Sequence, residues 1–235
     1  MSLNACAALV ERSDPDRFRA TMAAPVAARR VLFPIYAFNV EVTRAPWVTQ
    51  EEMIAEMRLQ WWRDALEEIG AGGSVRKHEV VDALAGILDP EGAKTLDDLV
   101  AARRWDVYKD AFEDRSHLNE YIDATSGALM WTAARLLGGT DEAGGRAFAY
   151  GVGIANLLRA VPDLEDRGRK PLVDGTAAGV KALALDGLAS LKRGNAPKAV
   201  KLSGFQAAPI LKQAIADPSR VANGTLGLGP IRQAT

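Results

Sequence analysis

An all-α fold is predicted by three observations. Apolar residues recur at helical spacing along most of the chain. No window shows the strict alternation of a half-buried strand, and residues that start and stop helices punctuate the pattern. The 235 residues, 48% hydrophobic and 25% charged, suffice for one domain with a full core. No internal repeat, low-complexity tract or linker interrupts them, so residues 1–235 are expected to form a single domain.

The elements follow in order. Asp14-Pro15 opens a short helix near 15–22, with proline at its first position. A longer helix spans 25–45 and holds Pro34, which removes one backbone donor and should kink it. Thr49-Gln-Glu-Glu52 reads as a capping box for the helix EEMIAEMRLQWWRDALEEI at 51–69. There Ala55, Leu59, Trp62, Leu66 and Ile69 make one apolar stripe, and Gly70 to Gly73 stop the helix. Further helices are expected at 76–88, 95–112, 116–137 and 141–161, the last ended by Pro162. Residues 176–193 and 205–216 also read as helices, joined by the looser RGNAPKAVKLSG.

Composition narrows the function. A net charge of −1 gives no global field toward nucleic acid or anionic lipid, and no nucleic-acid partner is expected. Cys6 is alone, so no intrachain disulfide framework exists and a reducing compartment suits the chain. With His78 and His117 it offers no zinc spacing. The N-terminus lacks a basic region and a long enough apolar run for a secretory signal. No stretch reaches the length of a spanning helix. A cytoplasmic, or at most membrane-peripheral, protein is therefore expected.

One run carries most of the chemistry: YGVGIANLLRAVPDLEDRGRKPL at 150–172. With IYAFNVEVTRAPW at 35–47 and the helix at 51–69 before it, it resembles the squalene/phytoene synthase family. That family's signatures are Y-A-F-x-x-x-x-D-D-x-x-D and, later, Q-x-x-N-x-x-R-D-x-x-x-D ahead of an R-G-R loop. Asn156, Arg159, Arg167, Gly168 and Arg169 stand where the second pattern wants them. The resemblance implies an isoprenoid synthase-like helical bundle around a central cavity, with 25–45 facing 141–161 across it. Its members ionise an allylic diphosphate, and Mg²⁺ held by paired aspartates steadies the departing pyrophosphate.

Here those aspartates are gone. The four positions hold Thr43, Trp47, Ala160 and Leu164, Arg44 replaces an intervening acid, and Gly153 replaces the glutamine. Acids at i and i+4 share one helix face and can share an ion, whereas alanine and leucine offer no oxygen. The chain is therefore expected to be non-catalytic, with no metal site and no cofactor, working as an assembly or lipid- or isoprenoid-binding protein. The YAFNVE element and the L-R-A-x-P run also resemble those of the mitochondrial complex I assembly factors of this superfamily. The alternative is a working prenyltransferase that condenses farnesyl or geranylgeranyl diphosphate with Mg²⁺ held by other acids. Expected partners are an isoprenoid diphosphate or lipid-like ligand and a partner protein.

Candidate binding residues are Glu41, Arg58, Asn156, Arg159, Arg167 and Arg169. Each has a plainer reading. Glu41 and Arg58 form either an internal ion pair or two solvated charges. Asp163, Glu165, Asp166, Arg167, Arg169 and Lys170 form a solvated loop, a remnant diphosphate rim or a displaced metal site. Trp61-Trp62 are core packing or the wall of a prenyl tunnel. Gly151 and Gly153 each cost about 1 kcal/mol of helix propensity, which points to close helix contact or to room for a ligand. The C-terminus, TLGLGPIRQAT, stops soon after a turn, earlier than the resemblance leads one to expect.

Overall fold

The computed structural model describes residues 2–49 and 51–227. Among these, helices alternate with short connections and no strand occurs. In order they are α1 (Ser2–Ser13), α2 (Pro15–Ala23), α3 (Val26–Arg44), α4 (Glu52–Gly70), α5 (Glu79–Ala85), α6 (Pro90–Arg103), α7 (Arg115–Ile122), α8 (Ala128–Leu136), α9 (Glu142–Asp166), α10 (Ala177–Arg193), α11 (Lys198–Ser203), α12 (Ala207–Ala216) and α13 (Ser219–Ala222). The all-α expectation holds.

Local chemistry sets most boundaries. The side chains of Asp14, Asp89, Asp114, Asp141 and Thr176 each accept a backbone N–H at the head of their helix, satisfying one otherwise orphaned donor. Thr49 does not cap α4. Its hydroxyl accepts from the N–H of Glu51, two residues on, and the helix starts only at Glu52.

Other expectations shift as well. The 95–112 helix begins earlier, at Pro90 behind the Asp89 cap, and gives way to a 3₁₀ turn at Arg104–Asp106. The 116–137 helix carries a π segment, Asp123–Gly127, between α7 and α8. RGNAPKAVKLSG contains a short helix, α11. Pro162 does not end α9, which runs on to Asp166. Proline removes one i to i−4 bond, and burial of Leu158 and Val161 on the core side holds the helix through that gap.

The core is built around α3, where Leu32, Phe33, Ile35, Tyr36, Ala37, Phe38 and Val42 are all buried. Each large side chain buried this way contributes roughly 1.5–3 kcal/mol. Helices α1, α2 and α5 pack on α3, while α8 touches α3, α6 and α9. On its other side α9 is covered by α10, with α12 packed against both. Trp62 joins this core edge-on to Phe38, 5.4 Å between ring centroids. Trp61 lies at the rim, under the Arg76 guanidinium and beside His78.

Candidate functional site

Two helix ends meet where the signatures would place a metal cluster. Helix α3 stops at Arg44, and the A-P-W sequence turns once more as a 3₁₀ helix, Ala45–Trp47. Opposite it, α9 ends in a Schellman motif. Gly168 takes φ +79, its N–H bonds to Glu165 O at 2.8 Å, and the N–H of Arg169 bonds to Leu164 O at 3.0 Å. A side chain at 168 would be strained in that conformation. The glycine of R-G-R thus reverses the chain and sends Arg169 back into the protein.

Arg169 is 7% exposed and fully engaged. Its Nη1 donates to Asp106 O at 2.8 Å and its Nη2 to Trp105 O at 3.3 Å, with Asp106 Oδ1 3.9 Å away. The Trp47 ring covers it at 5.7 Å and also takes the exposed Arg167 at 4.9 Å. Asp106 is held from behind: Tyr121 donates its hydroxyl to the carboxylate at 2.8 Å, and Arg103 Nη1 reaches it at 3.0 Å. Burial pushes the Tyr121 pKa up, so the phenol stays a donor. Burial opposes the Arg103 charge, but Tyr121 and Asp106 outweigh it and leave its pKa raised.

Mg²⁺ does not fit this place. The four signature positions present one hydroxyl, an indole, a methyl and an isobutyl group, and two guanidinium groups already lie on the indole. The Thr43 hydroxyl is itself buried without a hydrogen-bond partner. A hard divalent cation needs several oxygens and repels guanidinium. Among the described residues no cluster of three His, Cys, Asp or Glu side chains could hold a metal.

The glutamine position is closed as well. A Cβ at Gly153 would stand 2.7 Å from Ile122 Cγ2 and 2.9 Å from Ser126 Cβ, because α9 lies directly on the π segment. At Gly151 a Cβ would meet Leu191 Cβ at 2.6 Å and Gly187 O at 2.7 Å, on the α10 side. Both glycines serve close helix contact. Ser126 fastens the first contact by donating to Ala149 O at 2.9 Å.

The remaining candidates are scattered. Asn156 and Arg58 are exposed, and Glu41 is half-buried. No ion pair joins Glu41 and Arg58 among the described residues, since they sit on α3 and on the outer side of α4. Arg159 is 39% exposed and shares Nη1 between Asp16 Oδ2 and Gln206 Oε1, both at 3.3 Å. Asp163, Glu165 and Asp166 face solvent.

Three features were missed from sequence. Asp16 and Gln206, the partners of Arg159, lie far from it along the chain, and no spacing rule links them. In the Arg103–Asp106–Tyr121 group the first two are an i,i+3 pair, and only the addition of Tyr121 from α7 lay beyond local spacing. A third is the Tyr36 hydroxyl, in a residue 1% exposed, with the Ser203 side chain beside it but outside direct hydrogen-bond distance and Arg17 5.3 Å from the ring centroid. The Gln206 amide nitrogen is buried and unpaired. The Y-A-F element already marked Tyr36, but only as part of a motif.

Comparison with known proteins gives a consistent result. Residues 10–213 match the family described as squalene/phytoene synthase. The chain is 32% identical over 178 residues to the NADH dehydrogenase (ubiquinone) complex I, assembly factor 6 homolog of Drosophila melanogaster, covering 72% of this chain and 53% of that protein. It is 24% identical over 172 residues to assembly factor 6 of Homo sapiens, covering 67% and 48% respectively. The chain thus spans about half the length of these relatives. Its fold is similar to that of a dehydrosqualene synthase solved with a ligand, with a TM-score of 0.75, 13% identity, and coverage of 99% of this chain and 93% of the other.

Proposed function

We propose that this chain, which belongs to the squalene/phytoene synthase family, is a non-catalytic member that assists assembly of a respiratory NADH dehydrogenase. The observation that carries the first half is the Trp47 ring with Arg167 and Arg169 upon it, standing where the aspartate clusters would be. Pyrophosphate departure needs concentrated positive charge free to meet the phosphate oxygens. Here Arg169 is committed to two backbone carbonyls, and the acids that would gather metal ions are absent. The assembly half rests on the names of the relatives and extends from about half of their length to this chain.

Two measurements test the proposal. Incubated with farnesyl or geranylgeranyl diphosphate and Mg²⁺, the protein should form no squalene, presqualene diphosphate or phytoene. Metal-dependent pyrophosphate release above a boiled control would refute the non-catalytic reading. In cells lacking the chain, NADH:quinone oxidoreductase activity of the membranes should fall, and the wild-type chain should restore it. Unchanged activity in the deletion would remove the assembly role.

One observation favours a second reading, retained binding of a lipid-like diphosphate. Gln206 leaves its buried amide nitrogen unpaired, and its oxygen already accepts from Arg159. Unpaired buried polar groups are costly and mark places where a ligand or ordered water is accommodated. Calorimetric titration with a non-hydrolysable farnesyl diphosphate analogue should show binding that Arg159→Ala weakens. An isotherm flat for the wild-type chain would dismiss this reading without touching the first.

A further inference from the structure

Charge is unevenly distributed. Residues 175–216 carry Lys181, Lys192, Arg193, Lys198, Lys201 and Lys212 against the single acid Asp186, a net of 6 − 1 = +5. Since the whole chain is −1, the rest carries −1 − 5 = −6. Asp186 is moreover answered by Arg115 of α7 at 2.9 Å. All six basic side chains are exposed, and among the described residues none pairs with a carboxylate. Lys201 donates instead to Asn195 Oδ1 at 3.1 Å. Lys192 and Arg193 suit the C-terminal end of α10, where they meet the helix dipole. The same account covers Lys201 in the last turn of α11, but it does not reach Lys198 at the head of α11 or Lys212 within α12.

Two apolar side chains stand out among these cations: Leu185, 47% exposed on α10, and Phe205, 39% exposed in the turn between α11 and α12. Helices α10 and α12 pack side by side, and α11, which packs on α2 and α8, adjoins them where Lys201 bonds to Asn195 just past the end of α10. We propose that the outer face of α10, α11 and α12 docks on an anionic phospholipid bilayer, with its lysines at the headgroups and Leu185 and Phe205 in the interface. Five of the six cations are lysine, a strongly hydrated point charge suited to a diffuse negative surface. Arginine would serve the bidentate reading of nucleic-acid phosphates better. The protruding aliphatic and aromatic side chains gain from lipid and gain little from a phosphate backbone. No helix among the described residues is long and apolar enough to cross a membrane, so the contact would be peripheral.

Vesicle flotation tests this. The chain should float with phosphatidylcholine vesicles that contain phosphatidylglycerol and stay down with phosphatidylcholine alone. Raising salt from about 0.1 to about 1 M shrinks the Debye length from about 10 to about 3 Å and should release it. Each basic residue near such a surface contributes about 1 kcal/mol, about fivefold in partitioning. The triple variant Lys192→Glu/Lys198→Glu/Lys201→Glu should therefore lose at least about a hundredfold. Arg44→Glu/Lys77→Glu/Lys109→Glu, equal in charge but away from this face, should keep most binding. Leu185→Ser/Phe205→Ser should weaken binding without altering its salt dependence. All these sites are on the surface, and circular dichroism melts verify that the variants fold. Equal loss from both triple variants, no preference for the anionic vesicles, or tighter binding to duplex DNA than to vesicles would each overturn the proposal.

Discussion

Trp47 decides what the family site has become. Its ring shields Arg169 and accepts Arg167, so two guanidinium groups rest on one aromatic ring. Cation–π contacts contribute about 0.5–1 kcal/mol when exposed and about 2 when desolvated. Trp47→Ala should therefore lower stability by about 1–2 kcal/mol in urea melts, while Trp47→Phe retains most of it. No shift in midpoint would mean the ring is a bystander. Arg169 and Arg159 make a paired test. Arg169 is buried on two carbonyls and near Asp106, so Arg169→Ala leaves those acceptors unmet and should cost about 3 kcal/mol. Arg169→Lys should recover only part, because an ammonium cannot bridge two carbonyls and stack at once. Arg159 sits at the surface between Asp16 and Gln206, so Arg159→Ala should cost under about 1 kcal/mol. Equal losses would show that exposure is not what separates them.

Among the elements, the contact of α9 with the π segment matters most. An inserted residue widens the helix at Asp123–Gly127, and Gly153 admits that bulge. Gly153→Gln would restore the family residue and raise helix propensity, yet it should destabilise by about 1–3 kcal/mol through overpacking. Improved stability in that variant would mean the helices are farther apart than described. A second element contact is pH-sensitive. Asp89 caps α6 and also accepts from Arg135 of α8, with Nη1 to Oδ2 at 2.7 Å. The Arg135 hydrogen bonds, then the Gly92 N–H, hold its carboxyl down at about 2, below the ordinary 3.8. A lowered folded pKa means stability that is complete above pH 3.8 and lost as pH falls toward 2. Asp89→Asn should flatten the acid limb of the stability profile in that window and leave the slope near neutrality unchanged. Because the carboxylate is largely exposed, the effect should be modest and should shrink in high salt.

For the molecule as a whole, the proposed absence of ionising chemistry rests on the ends of α3 and α9 together. Ala160→Asp/Leu164→Asp alone should yield no pyrophosphate release with farnesyl diphosphate and Mg²⁺. Thr43 and Trp47 would still offer no carboxylate, and Trp47 would still carry its arginines. Activity in that double variant would show that one acid pair suffices and that the Trp47 contact yields to metal. The basic outer face lies on α10–α12, apart from this site, so its charge reversals should leave the diphosphate assays unchanged.

The all-α fold was legible in periodicity alone, since burial of one helix face is written into every third or fourth residue. The vanished aspartates were legible too, because a missing oxygen is a property of the residue and not of its neighbours. Local rules erred where tertiary packing overruled them: Pro162 sits inside a helix whose buried face carries it onward, and Thr49 bonds to Glu51 instead of heading α4. What Trp47 touches, why Gly153 is glycine, and which acid answers Arg159 were not legible. Each depends on residues tens of positions away meeting in space, and helical periodicity says which side of a helix is apolar without saying which helix covers it. The sequence determined the fold class and the absence of ligating acids, and only the tertiary structure decided that the emptied place is filled by an indole and two arginines.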